Sequence, residues 1–114
     1  MHNYPVSTVV VVILFTAFFS RFSSAAESDV GNSEAGKAKA ALCQGCHGLN
    51  GEGMILPPGQ ASSPRLAGQV APYFIKALND YKNDVRVDPM MNAIAKSLTE
   101  PDIANLAAYY SSLK

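Results

Sequence analysis

The stretch Cys43-Gln44-Gly45-Cys46-His47 decides how the rest of this chain is interpreted. Two cysteines separated by two residues lie about one helical turn apart, so both thiols can add to the vinyl groups on one edge of a porphyrin. The imidazole that follows at once can then serve as the proximal ligand of the porphyrin iron. These five residues therefore predict a c-type haem that is attached through Cys43 and Cys46 and has His47 on its iron.

Two cysteines at this spacing also occur in thioredoxin-like redox pairs, in zinc sites and in disulfides. A thioredoxin-like pair belongs to a βαβ unit, and this chain has no alternating strand pattern. A structural zinc site prefers Cys and His, and Cys43, Cys46 and His47 are the only such residues after residue 26. A disulfide between the two cysteines would close too small a loop to stabilise the chain much. Haem attachment is the favoured interpretation, with these three as the alternatives.

Residues 1–26 have the composition of a secretory signal. An apolar run from Val6 to Phe19 is followed by Ser24-Ala25-Ala26, whose small side chains suit a signal peptidase. We predict cleavage after Ala26, export to a bacterial periplasm and a domain at residues 27–114. The alternative is an uncleaved N-terminal anchor facing the periplasm, but the run is shorter than the about 20 residues that span a bilayer.

Charge and length limit the class of protein. The sequence has nine Lys plus Arg and nine Asp plus Glu, whereas a nucleic-acid-binding domain usually has a clear basic excess. A domain this short buries only about 60–65% of the surface that its unfolded chain exposes, so it needs a covalent or metal staple. A covalently held, largely apolar haem would be such a staple.

Apolar spacing and capping residues predict helices on both sides of one long loop. The first helix begins at Asn32 or Ser33 and carries Cys43, and Gly and Pro residues then interrupt residues 48–66. Helical spacing resumes near residue 71, and two further helices follow the capping signals Asp88-Pro89 and Thr99-Glu100-Pro101-Asp102. The prediction is an all-α fold of three or four short helices.

This ordered series of motifs resembles the class I c-type cytochromes. It is most similar to the small cytochrome c-553 group and to one half of the two-haem cytochrome c4 proteins, over Gly36 to Leu113. The resemblance rests on Gly36-Lys37-Ala38-Lys39, Cys43 to Gly48, Gly51-Glu52-Gly53, Pro64 to Gln69, Tyr73 to Tyr81, Met91 with Ile94, Ala95 and Leu98, and Asp102 to Tyr110.

The resemblance implies a small cytochrome c fold wrapped around one covalent haem. The first and last helices would cross at Gly36, which would face the Leu106 and Tyr110 side of the last helix. The carbonyl group of Pro64 would accept a hydrogen bond from the ring of His47, which would orient the ring and raise its basicity.

A methionine thioether is the expected second axial ligand, because it would complete a six-coordinate iron and raise the reduction potential. After the signal, the candidates are Met54, Met90 and Met91. Met54 follows the histidine too closely to leave chain for packing around the haem edge. Met90 and Met91 point about 100° apart on a helix, so only one can bind the iron. Met91 shares a face with Ile94 and Leu98 and matches the family position, so we predict Met91, with Met90 as second choice and core filling as the ordinary alternative.

Arg65 and Arg86 are candidate partners for the two haem propionates. A guanidinium group can hold a carboxylate through two parallel hydrogen bonds, which suits this role. The alternative for each is an ordinary solvated arginine at the surface.

Filled axial positions predict a carrier rather than an enzyme. With no position left for substrate or O₂, we expect a periplasmic one-electron carrier of a respiratory chain that meets redox partner proteins, such as a membrane-associated oxidase or dehydrogenase, through small transient interfaces as a monomer. One alternative is the haem c subunit of a larger periplasmic oxidoreductase. A less favoured alternative is a peroxidase-like or gas-binding haem protein.

Overall fold

The computed structural model describes residues 31–58, 60 and 62–114. Within these residues the chain forms five helices and no strand, apart from one isolated bridge between Met54 and Ser63. None of the described helices is both long and apolar enough to cross a bilayer. The all-α class is therefore confirmed, while the signal predicted at residues 1–26 lies outside the described residues. The helices are α1 (Ser33–Lys39), α2 (Ala41–His47), α3 (Ala71–Lys82), α4 (Pro89–Ser97) and α5 (Glu100–Ser112).

The predicted first helix is divided into α1 and α2, which gives five helices where three or four were expected. The division falls at Ala40, whose N–H group donates to the carbonyl groups of Gly36 at 2.8 Å and Lys37 at 3.3 Å. The Cys43 N–H group then donates to the Ala40 carbonyl, three residues back, at 2.8 Å. These bonds tighten one turn towards a 3₁₀ geometry. Apolar spacing continues across the turn, so periodicity gave no sign of the division.

Side-chain caps fix where the helices begin. The Asn32 side chain accepts a hydrogen bond from the Ala35 N–H group at 2.9 Å at the start of α1. Thr99 and Asp102 cap each other reciprocally at the start of α5, with distances of 3.0 and 3.3 Å. The Asp88 side chain accepts from both methionine N–H groups at the start of α4. These caps satisfy N–H groups that the helices leave without partners, and each contributes about 1 kcal/mol.

Helices α1 and α5 cross at Gly36, as expected from the resemblance. A Cβ atom on Gly36 would collide with the Asn105 carbonyl and lie 2.8 Å from the Cβ atom of Tyr109. The facing residues are therefore Asn105 and Tyr109, so the expected Leu106 and Tyr110 side was wrong by one residue. Tyr110 instead turns into the core, where its ring stacks on Phe74 with ring centroids 5.6 Å apart.

Helix α5 provides half of the buried hydrophobic residues of the described core. Tyr110, Ile103 and Leu106 are the largest side chains that are fully buried. Helices α3 and α4 cover them with Phe74, Leu78 and Ala95. The partly buried residues that pack against this core include Cys43, Leu66, Ile75, Tyr81 and Met91.

Candidate functional site

His47 is the last residue of α2, and its side chain is buried, with 6% of its surface exposed. Its Nδ1 atom lies 2.7 Å from the carbonyl oxygen of Pro64. A carbonyl oxygen can only accept, so Nδ1 carries the hydrogen and Nε2 of the neutral ring keeps a free lone pair. Histidines that bind metals are held in the same way, with one nitrogen bonded to an oriented acceptor and the other available.

The loop after His47 doubles back and brings Pro64 to the ring. The Gly53 N–H group donates to the His47 carbonyl at 2.8 Å, and Met54 pairs with Ser63 through backbone bonds of 2.9 and 3.0 Å. Gly53 has a φ of +83°, and a Cβ atom there would lie 2.9 Å from the Arg65 nitrogen. Only glycine therefore allows the two arms of this loop to approach so closely.

Cys43 is half-buried and Cys46 is exposed, and the two do not form a disulfide. Burial raises the pKa of the Cys43 thiol, and the neighbouring Tyr110 hydroxyl partly offsets this. That hydroxyl is buried and makes no hydrogen bond of normal geometry to the described residues. Burial and the nearby Cys43 raise the pKa of Tyr110 well above its usual range. Buried polar groups usually have a hydrogen-bond partner. The Tyr110 hydroxyl, beside the predicted attachment cysteine Cys43, therefore fits a site that is completed when a cofactor binds.

Helix α4 carries the two candidate methionines in different surroundings. Met91 is half-buried and packs against the same core cluster as Cys43. Met90 is 63% exposed. The two side chains therefore differ in burial, and the choice of Met91 as the iron ligand stays a prediction. Met54, the third candidate, is committed through its backbone to the pairing with Ser63.

The two arginines contact other parts of the chain. Arg65 donates from Nε to the Ala67 carbonyl at 3.0 Å, within its own loop. The Arg86 guanidinium lies 4.9 Å from the centre of the Tyr81 ring, and the Tyr73 hydroxyl and the Tyr81 ring raise the pKa of Arg86. Neither arginine forms an ion pair among the described residues. Their role beside haem propionates stays a prediction.

Apolar side chains of a kind suited to a porphyrin flank both predicted ligands. Leu42 and Leu49 lie on either side of the Cys-His motif and are both exposed. Val85 and Val87, likewise exposed, precede the methionine pair. The described residues contain no group of three or more His, Cys, Asp or Glu side chains that could hold a metal ion directly. The exposed leucine and valine side chains beside the predicted ligands therefore fit a large apolar cofactor.

Comparison with known proteins supports this interpretation of the site. The family model for cytochrome c matches residues 33–114. The cytochrome c4 of Pseudomonas aeruginosa is 37% identical over 84 residues, which is 74% of this chain and 39% of that protein. The cytochrome c-554(548) of Halomonas halodenitrificans is 35% identical over 85 residues, covering 72% of this chain and 96% of that protein.

A third relative is named for its role. The thiosulfate dehydrogenase electron acceptor of Thiomonas intermedia is 37% identical over 76 residues, which is 67% of this chain and 33% of that protein. The chain thus spans half or less of the length of the cytochrome c4 relatives that it matches.

Solved structures share the fold. The cytochrome c4 of Acidithiobacillus ferrooxidans superposes with a TM-score of 0.61 at 31% identity, covering 93% of this chain and 64% of that chain. The reduced recombinant cytochrome c4 of Pseudomonas stutzeri gives a TM-score of 0.62 at 28% identity, covering 86% of this chain and 57% of that chain. The chain is therefore a member of the cytochrome c family, similar to cytochrome c4, and its cofactor is covalently bound haem c with its iron.

Proposed function

We propose that this protein is a one-electron carrier in which His47 and Met91 are the two axial ligands of the haem iron. The observation that supports this most is the bond between His47 Nδ1 and the Pro64 carbonyl at 2.7 Å. It leaves Nε2 available on a buried ring whose direction is set by the backbone. When bound, the cofactor supplies an iron that changes between two oxidation states, and the chain supplies its ligands and surroundings.

Each of the proposed site residues has a separate task. Cys43 and Cys46 would hold the porphyrin through two thioether bonds, with Cys43 fixed against the core. The Pro64 carbonyl group orients the His47 ring. Met91 would supply the second ligand from α4, and a thioether there favours the reduced iron.

Commitment of both axial positions favours electron transfer over catalysis. A chain that gives His47 and Met91 to the iron keeps no position for a substrate or for O₂. The sequence has nine basic and nine acidic residues. Because these charges balance, we expect only weak electrostatic steering towards redox partners. The carrier would therefore meet its donor and acceptor through small interfaces with a modest dependence on salt.

The proposed compartment is the bacterial periplasm. It rests on the signal-like composition of residues 1–26, with an apolar run followed by Ser24-Ala25-Ala26. An N-terminal anchor that keeps the domain on the periplasmic face of the membrane is the alternative. Determination of the N-terminal residue of the exported protein would separate the two.

A second candidate function is that of a haem c subunit in a larger oxidoreductase. The similarity to the Thiomonas intermedia protein, whose name describes an acceptor for thiosulfate dehydrogenase, favours it. Gel filtration of the native protein separates these functions, because a free carrier elutes at the size of its own chain. Co-elution with a dehydrogenase at larger size would favour the subunit.

The test of the carrier proposal is the absorption spectrum of the purified holo-protein together with carbon monoxide binding. We expect a weak far-red band in the oxidised protein, which marks an iron–methionine bond, and slow or no carbon monoxide binding to the reduced protein at neutral pH. Rapid carbon monoxide binding and no far-red band would contradict the proposal. That result would favour a gas-binding or peroxidase-like protein.

A further inference from the structure

Asn92, the residue directly after Met91, joins the first turn of α4 to the end of α3. Its Nδ2 group donates to the Tyr81 carbonyl at 2.6 Å and to the Arg86 carbonyl at 2.8 Å. Its Oδ1 atom accepts from the Asp88 N–H group at 2.8 Å. One side chain thus contacts α3, the connecting segment 83–88 and the N-cap of α4.

The three backbone groups that bond to Asn92 also determine which side chain is suitable at position 92. Two carbonyl oxygens require donors and one N–H group requires an acceptor, and a single amide provides both at the right separation. An aspartate of the same shape would keep the Asp88 contact but would turn an oxygen towards the two carbonyls. The bond to Tyr81 is partly buried, and its loss would leave that carbonyl with the longer bond from the Asp84 N–H group, at 3.3 Å.

The connecting segment 83–88 has few other side-chain restraints. Asp84 has a φ of +59°, a left-handed conformation that is strained for a residue with a side chain. The ion pair between Lys96 and Asp84, at 2.7 Å, is exposed and therefore contributes little. The Val85 and Arg86 N–H groups bond to the Asp80 carbonyl at 2.8 and 3.0 Å, which attaches the segment to α3 but not to α4. Asn92 attaches it to α4 through Arg86 and Asp88, in addition to the Asp88 cap on the first turn of α4.

We propose that Asn92 is a positioning residue for the methionine ligand. It fixes the first turn of α4 against α3, so the thioether of Met91 stays directed at the iron. This inference rests on the proposed function, in which Met91 is that ligand. Asn92 does not contact the iron and acts only through the backbone beside Met91. Its loss lets segment 83–91 open locally while the rest of the fold stays intact.

The test compares Asn92→Ala and Asn92→Asp with Asn32→Ala in the oxidised holo-protein at pH 7. Asn32 is also a helix-capping asparagine, but it lies at the start of α1, where its side chain accepts from the Ala35 N–H group and its backbone N–H group donates to the Asn105 side chain. Imidazole is added as a competing ligand, and the rate of its binding is followed as the far-red band disappears. Global unfolding by urea is measured in parallel.

We expect both Asn92 variants to bind imidazole about tenfold faster than the unmodified protein. Asn92→Asp loses the bonds to Tyr81 and Arg86, and Asn92→Ala loses the bond to Asp88 as well. Asn32→Ala should be less stable to urea yet bind imidazole at the unmodified rate. If Asn92→Ala does not retain haem, Asn92→Asp carries the test, since it keeps the shape and the Asp88 contact.

Each outcome bears on one claim. Asn92 variants that bind imidazole at the unmodified rate would overturn the positioning role, even if they are less stable to urea. An equal acceleration in Asn32→Ala would overturn it too, because the effect would then follow global stability. A far-red band absent from the unmodified protein would instead overturn the ligand assignment of Met91, and the inference with it.

Discussion

The histidine side of the proposed site, residues 41–66, is held mainly by backbone hydrogen bonds. The Gly53 N–H group bonds the His47 carbonyl, Met54 pairs with Ser63, and the Leu66 N–H group bonds the Gly51 carbonyl at 2.8 Å. Even the ring of His47 is oriented by a backbone carbonyl. These bonds do not depend on which side chains the residues carry, except where a glycine is needed.

The methionine side, residues 81–97, relies on side chains instead. Asp88 caps the Met90 and Met91 N–H groups at 3.0 and 2.9 Å, and Asn92 bonds three backbone groups. Three of its side chains, Val85, Val87 and Met90, are largely exposed. A single substitution can therefore remove a main restraint on this side, whereas most restraints on the histidine side remain when a side chain is replaced.

In the proposed site, this difference separates a histidine ligand that is held in place from a methionine ligand that can be exchanged. His47 is buried at the end of α2, after the two proposed attachment cysteines and before the loop that returns at Pro64. Met91 is half-buried on a nine-residue helix that side chains attach to its neighbours. We expect substitutions on the histidine side to affect folding, and substitutions on the methionine side to affect ligand exchange first.

The largest effect is expected from Gly51→Ala on the histidine side. Gly51 has a φ of +72°, and a Cβ atom there would lie 2.6 Å from the Tyr110 ring, which is fully buried. Backbone strain and displacement of the ring should together cost about 3 kcal/mol of unfolding free energy, measured by urea denaturation. Gly45→Ala is the control, because no atom lies within 4 Å of its Cβ position and alanine favours a helix. Equal stability of the two variants would contradict this account of the loop.

A smaller loss is expected from Asp88→Ala on the methionine side. Without the carboxylate, two N–H groups at the start of α4 lose their partner, which should cost about 1 kcal/mol of unfolding free energy. Asp88→Asn should retain most of the stability, because asparagine caps about as well. The far-red band should weaken more readily with urea in Asp88→Ala than in Asp88→Asn. If urea weakens the far-red band equally in the two variants, the Asp88 cap does not restrain the methionine side.

Acid should act on the histidine side through Glu52. Hydrogen bonds from the N–H groups of Glu52 itself and of Asn50 lower the pKa of the Glu52 carboxyl. Its contribution to stability is therefore fully present above the pKa of the unfolded chain and is lost as the pH falls through the lower, folded pKa. Glu52→Gln should show a shallower loss of stability between pH 5 and pH 3, measured by urea denaturation at each pH (about one unit either side of an ordinary carboxyl pKa). An identical pH dependence in both proteins would exclude this contribution.

The smallest effect is expected from the two arginines. If Arg65 or Arg86 pairs with a haem propionate, replacing it by glutamine removes a positive charge and should lower the reduction potential slightly. Arg86 already lies over the Tyr81 ring, so Arg65→Gln should give the larger shift. Protein-film voltammetry measures both variants under the same conditions. A potential unmoved at both positions would leave the two arginines as surface residues.

Local features of the site could be predicted from the sequence, and tertiary ones could not. The caps formed by Asp88 and by Thr99 with Asp102 involve partners within three residues, so spacing alone revealed them. The approach of Pro64 to His47, 17 residues apart, came only from resemblance to a family. Asn92 gave no signal, because its most distant partner, Tyr81, is set by how α3 and α4 meet. The side of α5 that faces Gly36 was also not predicted correctly, because it depends on how α1 and α5 pack together.

The measurement that tests the central claim most directly is the far-red band in two neighbouring variants, Met91→Ala and Met90→Ala. Met91 is half-buried against the core, whereas Met90 is 63% exposed, so the pair differs in position and not in chemistry. If Met91 is the axial ligand, the far-red band is lost in Met91→Ala and kept in Met90→Ala, with haem still attached in both. A band that survives in Met91→Ala and disappears in Met90→Ala would contradict this assignment.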